Sequence, residues 1–142
     1  MGAHKDSGLL TLIMQDENKG LQVEVSKGEW LDIAPIPDTF VVNLGELLEL
    51  ATNGYLRATI HRVLPPTGKT ERISIAYFLG ASLSSVVPVF KLSEELNSGS
   101  SFIETDPNNP LLRDVGLNYI KGRLRSHPDV ADKFYSKWSD SK

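Results

Sequence analysis

The sequence predicts a mainly β chain with helices gathered toward its C-terminal end. Three observations carry this expectation. Short runs that alternate apolar and polar residues recur through the first two-thirds, the period-2 signature of half-buried strands. Gly, Pro and Asn clusters separate those runs at hairpin-like intervals. Beyond residue 110 the apolar spacing turns helical, and Pro128 stands where a helix would place its first residue. Strands followed by helices read as an all-β body with a helical cover.

Taken in order, Leu9–Met14 is a β-rich run that ends at the polar turn Gln15–Gly20. Leu21–Val25 alternates cleanly, and Lys27-Gly28 turns the chain into Glu29–Ile33, so these two runs form a hairpin. Pro35 and Pro37 end that unit, and Phe40–Leu44 is a short buried strand. Gly45–Ala51 has helical spacing and is stopped by Asn53-Gly54. Arg57–Val63 and Glu71–Leu79 are strands again, joined by the Pro65–Gly68 loop. In the second, Arg72, Ser74 and Ala76 point one way and Ile73, Ile75 and Tyr77 the other. Tyr55, Tyr77 and Phe78 are expected in the core or at its rim. Val86–Phe90 is one more strand, with Pro88 marking an edge. Ser93–Glu104 is a polar surface segment with one helical turn, and Asp106–Pro110 is a loop. Leu111–Ser126 is helical, with Leu112, Val115, Tyr119 and Leu124 near one face. A second helix runs from Pro128 to about Trp138.

At 142 residues the chain has the length of one domain. Fifteen basic and eighteen acidic residues leave a net charge of −3, with no basic patch of interleaved aromatics, which argues against nucleic acid as a partner. No apolar run has the length of a membrane span, and no signal-peptide pattern is visible. Cysteine is absent, which excludes disulfides and zinc–thiolate sites and fits a reducing, cytoplasmic setting. Any metal must then be held by Asp, Glu or one of three histidines: His4, His61 and His127.

His4-Lys5-Asp6 stands just before the first strand. In an extended segment residues i and i+2 project to one side, so His4 and Asp6 can grip one ion. His61, on a later strand between Ile60 and Val63, can supply the third ligand. Two imidazoles and a carboxylate are the facial triad of non-haem iron(II) oxygenases. Taken singly, His-x-Asp is more often a solvated turn and His61 a satisfied core histidine. Arg72 and Ser74 strengthen the combination. An inward arginine needs an anion, and its fork matches a carboxylate while Ser74 adds a hydrogen bond. Pairing of Arg72 with an internal Asp or Glu is the alternative.

The run Gly2–Asp16, followed by Gly20-Leu-Gln-Val23, resembles the iron-binding strand pair of the isopenicillin N synthase-like 2-oxoglutarate oxygenase superfamily. The resemblance continues through Trp30, Val42–Gly45, Thr52–Gly54, Arg57–Val63 and Arg72-Ile-Ser74, spanning nearly all of residues 2–79. Asn108–Gly116 and Lys121–Pro128 are similar to bacterial and fungal members. This likeness implies a double-stranded β-helix (jelly roll) with C-terminal helices. Residues 1–90 would be its partial core and 91–142 a helical extension of the same domain. It implies His4, Asp6 and His61 as iron(II) ligands, and Arg72 and Ser74 as the anchor of the 2-oxoglutarate C5 carboxylate. It also implies oxidation, by default hydroxylation, of a small-molecule substrate with O₂, as 2-oxoglutarate is split to succinate and CO₂. Members of the family are longer, so a truncated domain is expected, incomplete at its N-terminus, with open strand edges and a fraying His4. Two other readings stand beside this one: an oxidase of the same superfamily that does not use 2-oxoglutarate, and a non-catalytic metal-binding fragment. Thr11 and Asn43 are placed near the metal by strand position. Pro66–Thr70 carries part of a phosphate-loop pattern but has Val63 where an earlier glycine belongs, and reads as a hairpin loop. His127 reads as a surface or capping residue, and Lys121, Arg123 and Arg125 as a solvated helix face. Neither the substrate nor the oligomeric state is legible.

Overall fold

The computed structural model describes residues 1–68, 71–97 and 110–135. Among the described residues six strands and four helices follow one another: β1 (Leu10–Gln15), β2 (Leu21–Ser26), β3 (Glu29–Asp32), β4 (Val41–Leu44), α1 (Glu46–Ala51), β5 (His61–Val63), β6 (Ser74–Leu79), α2 (Glu94–Asn97), α3 (Val115–Ser126) and α4 (Pro128–Phe134). The strands form two antiparallel sheets of order β4-β1-β6 and β3-β2-β5, so the chain crosses repeatedly between sheets. The mainly β body with C-terminal helices is therefore observed.

The β2–β3 hairpin forms as its alternation demands. Lys27-Gly28 makes the turn, with Gly28 at φ 83° and its N–H donating to Glu24 Oε1 at 2.8 Å. Thr11 and Ile13 face inward from the central strand β1, and Thr11 lies opposite Asn43 on β4 and Phe78 on β6. Asn53 and Gly54, both at positive φ, stop α1. Its first N–H groups have no side-chain cap. They are taken instead by carbonyls of the segment before β1: Glu46 by Asp6 O at 2.8 Å and Leu47 by Gly8 O at 3.1 Å. A small apolar core of Leu47, Ala51, Val87 and Val115 then ties α1 to α3.

Several expectations are corrected. β5 begins at His61, not Arg57, because the Ala58 N–H donates to the Glu49 carboxylate instead of a strand neighbour. β6 begins at Ser74, since Asp16 Oδ2 accepts from the Ile73 N–H at 2.6 Å. Val86–Phe90 forms only a bridge from Val86 to Asp114. The Val87 and Phe90 N–H groups go to the carbonyls of Arg113, just before α3, and of Ala51, at the end of α1. Tyr55, Tyr77 and Phe78 are exposed, the last two by 62% and 61%; among the described residues only β1 packs extensively against β6. The helix expected from Leu111 starts instead at Val115, where Asp114 caps it by accepting from the Leu117 N–H at 2.8 Å. Val115 is buried, but Tyr119 is largely exposed. Most of Ser93–Glu104, the start of the Asp106–Pro110 loop, the end of Pro66–Thr70 and the continuation to Trp138 lie outside the described residues. No helix among the described residues is long and apolar enough to cross a membrane.

Candidate metal centre

His4 does not fray. Its N–H and carbonyl both pair with His61, at 3.0 Å each, and the Val63 N–H donates to Met1 O. This bridge lays the first residues along the edge strand β5 and brings the two imidazoles together, ring centroids 4.3 Å apart. Asp6, 7% exposed, enters from the loop that α1 holds by its backbone. Its Oδ1 lies 3.4 Å from His4 Nε2 and 3.6 Å from His61 Nε2.

The hydrogen bonds behind these groups determine what they can bind. Each histidine places Nδ1 beside a backbone carbonyl, Gly2 O at 2.9 Å for His4 and Thr59 O at 3.1 Å for His61. A carbonyl only accepts, so Nδ1 carries the proton in both neutral rings and Nε2 presents a lone pair. Asn43 Nδ2 is farther from His61 Nδ1, at 3.4 Å, and makes its short bond to Asp6 Oδ2 at 2.7 Å. Thr11 Oγ1 donates to the same oxygen at 2.5 Å, leaving Oδ1 for the site. Three acceptor atoms thus converge with no donor between them, an arrangement that a cation relieves. Ligand atoms from all three residues lie within 4.8 Å of one another, so the chemistry and placement of the donor set fit a metal ion.

Arg72 and Ser74 also come together. Arg72 Nη1 donates to Ser74 Oγ at 3.1 Å and Nη2 to Gln15 Oε1 at 2.9 Å. Among the described residues no carboxylate pairs with Arg72, and its buried Nε has no hydrogen-bond partner. Gln15 shares a face of β1 with Thr11, four residues or about 13 Å along the strand, so the arginine group and the His–Asp–His group lie along one sheet face. Asp16, beside them, has its carboxyl held below the usual range. The Ile73 N–H bond does most of this, and Asn18 and the Arg72 charge add to it.

Two residues were not singled out by the sequence reading. Gln15 is found only through the β1–β6 register, which sets it opposite Ser74. Glu49, 2% exposed, accepts from Lys5 Nζ at 3.1 Å and from the Ala58 N–H at 3.0 Å with one oxygen. It thereby braces the residue between His4 and Asp6 against the segment that leads into His61. A buried glutamate on a short helix, with a lysine in the ligand motif, was the available signal. Thr11 and Asn43 stand where strand position put them, both bonded to Asp6. His127 is exposed at the α3–α4 junction, away from the other two histidines.

The model of the 2OG-Fe(II) oxygenase superfamily matches residues 1–81. A homoarginine-6-hydroxylase of Glycine max is 42% identical over 121 residues, covering 84% of this chain and 36% of the relative. A 1-aminocyclopropane-1-carboxylate oxidase of Dictyostelium mucoroides is 39% identical over 97 residues, 68% of this chain and 26% of the relative. Among solved structures, the dioxygenase for auxin oxidation in rice superposes with a TM-score of 0.62 at 31% identity. That match covers 88% of this chain and 40% of the other. The chain therefore spans roughly a third of the length of the curated relatives it matches.

Proposed function

Because this chain belongs to the 2OG-Fe(II) oxygenase superfamily, we propose that His4, Asp6 and His61 hold one iron(II) ion and that Arg72 and Ser74 anchor 2-oxoglutarate. The observation that carries this reading is the convergence of two imidazole lone pairs and one carboxylate oxygen. Two nitrogens and one oxygen on one side of an ion suit iron(II) and leave its other positions for further ligands. The two sheets, between which the chain crosses repeatedly, support a double-stranded β-helix. Its core is residues 1–90, and 91–142 form its helical extension.

When bound, iron(II) supplies the oxidative chemistry in which O₂, 2-oxoglutarate and a substrate C–H become succinate, CO₂ and a C–OH, one oxygen atom entering each organic product. The protein's own groups hold and orient. Thr11 and Asn43 fix the Asp6 carboxylate by its outer oxygen, and the carbonyls of Gly2 and Thr59 fix both imidazole tautomers. Arg72 presents its fork to the distal carboxylate of the keto acid. The Ser74 oxygen already accepts from Arg72, so its own proton is free to donate to that carboxylate. Gln15 holds the far side of the guanidinium. The substrate is a small molecule oxidised beside His4.

Cobalt(II) titration tests the ligand set. One equivalent is expected to bind with visible d–d absorption, and binding is expected to vanish in His4→Ala, Asp6→Ala and His61→Ala while far-UV circular dichroism stays unchanged. Full binding in folded His61→Ala would overturn the assignment. The relative named as an oxidase favours, as the second reading, an oxidase that does not consume 2-oxoglutarate. Stoichiometric 2-oxoglutarate binding that depends on Arg72 argues against that reading.

A further inference from the structure

A cleft of about 1110 Å³ runs between α3 and the segment that carries His4. It is lined at one end by His4 and Phe78, and along the helix by Tyr119, Lys121, Arg123 and Arg125. The charge on its walls is lopsided. Lys5 also faces it but is neutralised by Glu49, and Glu46 is the remaining acid among the lining residues. Among the described residues none of the three α3 cations is in an ion pair. Lys121 donates to the Pro110 carbonyl, and Arg123 lies over the Tyr119 ring, its Cζ 5.6 Å from the centroid. Burial lowers the Lys121 ammonium pKa and raises that of the Glu46 carboxyl. Phe78, Leu83 and Tyr119 add exposed apolar surface to the same walls.

We infer that this cleft receives the substrate, and that the substrate is a small carboxylate with an apolar body. The inference rests on the iron-site reading, because His4 is shared by the cleft and the metal centre. Arg123, set beside Tyr119, pairs with the carboxylate, Arg125 adds positive charge farther round the helix, and Phe78 and Tyr119 flank the apolar part. A guanidinium already set against a ring loses little freedom on pairing. The keto acid is a different anion with a different anchor, since Arg72 does not line this cleft.

The test uses the whole 142-residue chain, labelled with nitrogen-15, at low salt and neutral pH. The probes are phenylacetate and its neutral counterpart phenylacetamide. Phenylacetate is expected to shift amides of Tyr119–Arg125 and Ser7–Gly8 and to bind about tenfold more tightly than the amide, as a charge-assisted bond implies. Arg123→Gln/Arg125→Gln is expected to remove that preference while cobalt(II) still binds. Equal binding of acid and amide, shifts confined to Gln15 and Arg72, or no binding by either probe would overturn the inference. Cobalt(II) titration of the same samples separates the two failures. Metal binding without acid preference defeats this inference alone, whereas loss of metal binding in the parent chain defeats the reading beneath it.

Discussion

The two oxygens of the Asp6 carboxylate have separate tasks. Oδ2 takes hydrogen bonds from Thr11 and Asn43, and Oδ1 is left to face the two imidazoles. Removing one of those donors leaves the ligand in place but frees it to rotate. Thr11→Val, which keeps the shape, is expected to weaken cobalt(II) binding about tenfold to a hundredfold. It should also lower the stability of the metal-free chain by about 1–2 kcal/mol, read from urea unfolding. Unchanged affinity would show that Thr11 does not orient the ligand. At this scale the convergence of the candidate residues was largely legible. Ligand spacing, the strand position of Thr11 and Asn43, and the shared face of Arg72 and Ser74 all follow from local geometry. The partner of Arg72 was not, because Gln15 reaches it only once β1 and β6 have paired in this register.

Elements are placed by backbone contacts that side-chain patterning does not reveal. Gly45 opens α1 so close to the ligand loop that an added Cβ would lie 2.1 Å from Gly8 O. Gly45→Ala is therefore expected to cost about 1–3 kcal/mol and to disturb Asp6, whose carbonyl accepts the next N–H. Glu49→Gln keeps an acceptor for the Ala58 N–H but loses the charge that pairs with Lys5. Its expected loss is about 1–3 kcal/mol, with weaker cobalt(II) binding. An affinity equal to that of the parent chain would show that this brace does not position the ligands. At the β1–β6 end, the folded state lowers the Asp16 pKa chiefly through the Ile73 N–H. A lowered carboxyl adds stability that is present above its ordinary range, near pH 4, and fades as pH falls through the folded value. Asp16→Asn should flatten the decline in melting temperature from about pH 5 to about pH 2. These contacts explain what patterning missed. The alternation of Arg57–Val63 is real, yet Glu49 takes an N–H that a longer strand would need. Asp114 gave a readable cap signal for α3 that helical periodicity alone overran.

Across the whole molecule, apolar surface remains uncovered. Ile75, Tyr77, Phe78 and Leu79 on β6 are exposed, as are Val42 on β4 and Phe40 just before it, and among the described residues both strands are sheet edges. These edges among the described residues are in line with the open edges expected from sequence, although the backbone pairing of the first residues was not foreseen. Such edges pair with other chains. Concentration-dependent association is expected in sedimentation velocity, and Ile75→Lys/Tyr77→Lys should reduce it. A monomer at all concentrations would show that this surface is harmless in solution. In the function proposed above, one chain assembles both the His4–Asp6–His61 centre and the Arg72–Ser74 anchor. The most direct measurement is anaerobic addition of iron(II) and then 2-oxoglutarate, following the visible charge-transfer band of the ternary complex. A band that is absent in His4→Ala, Asp6→Ala and His61→Ala and much weaker in Arg72→Ala is the expected result. A folded chain that binds iron(II) but gives no band with 2-oxoglutarate would contradict it.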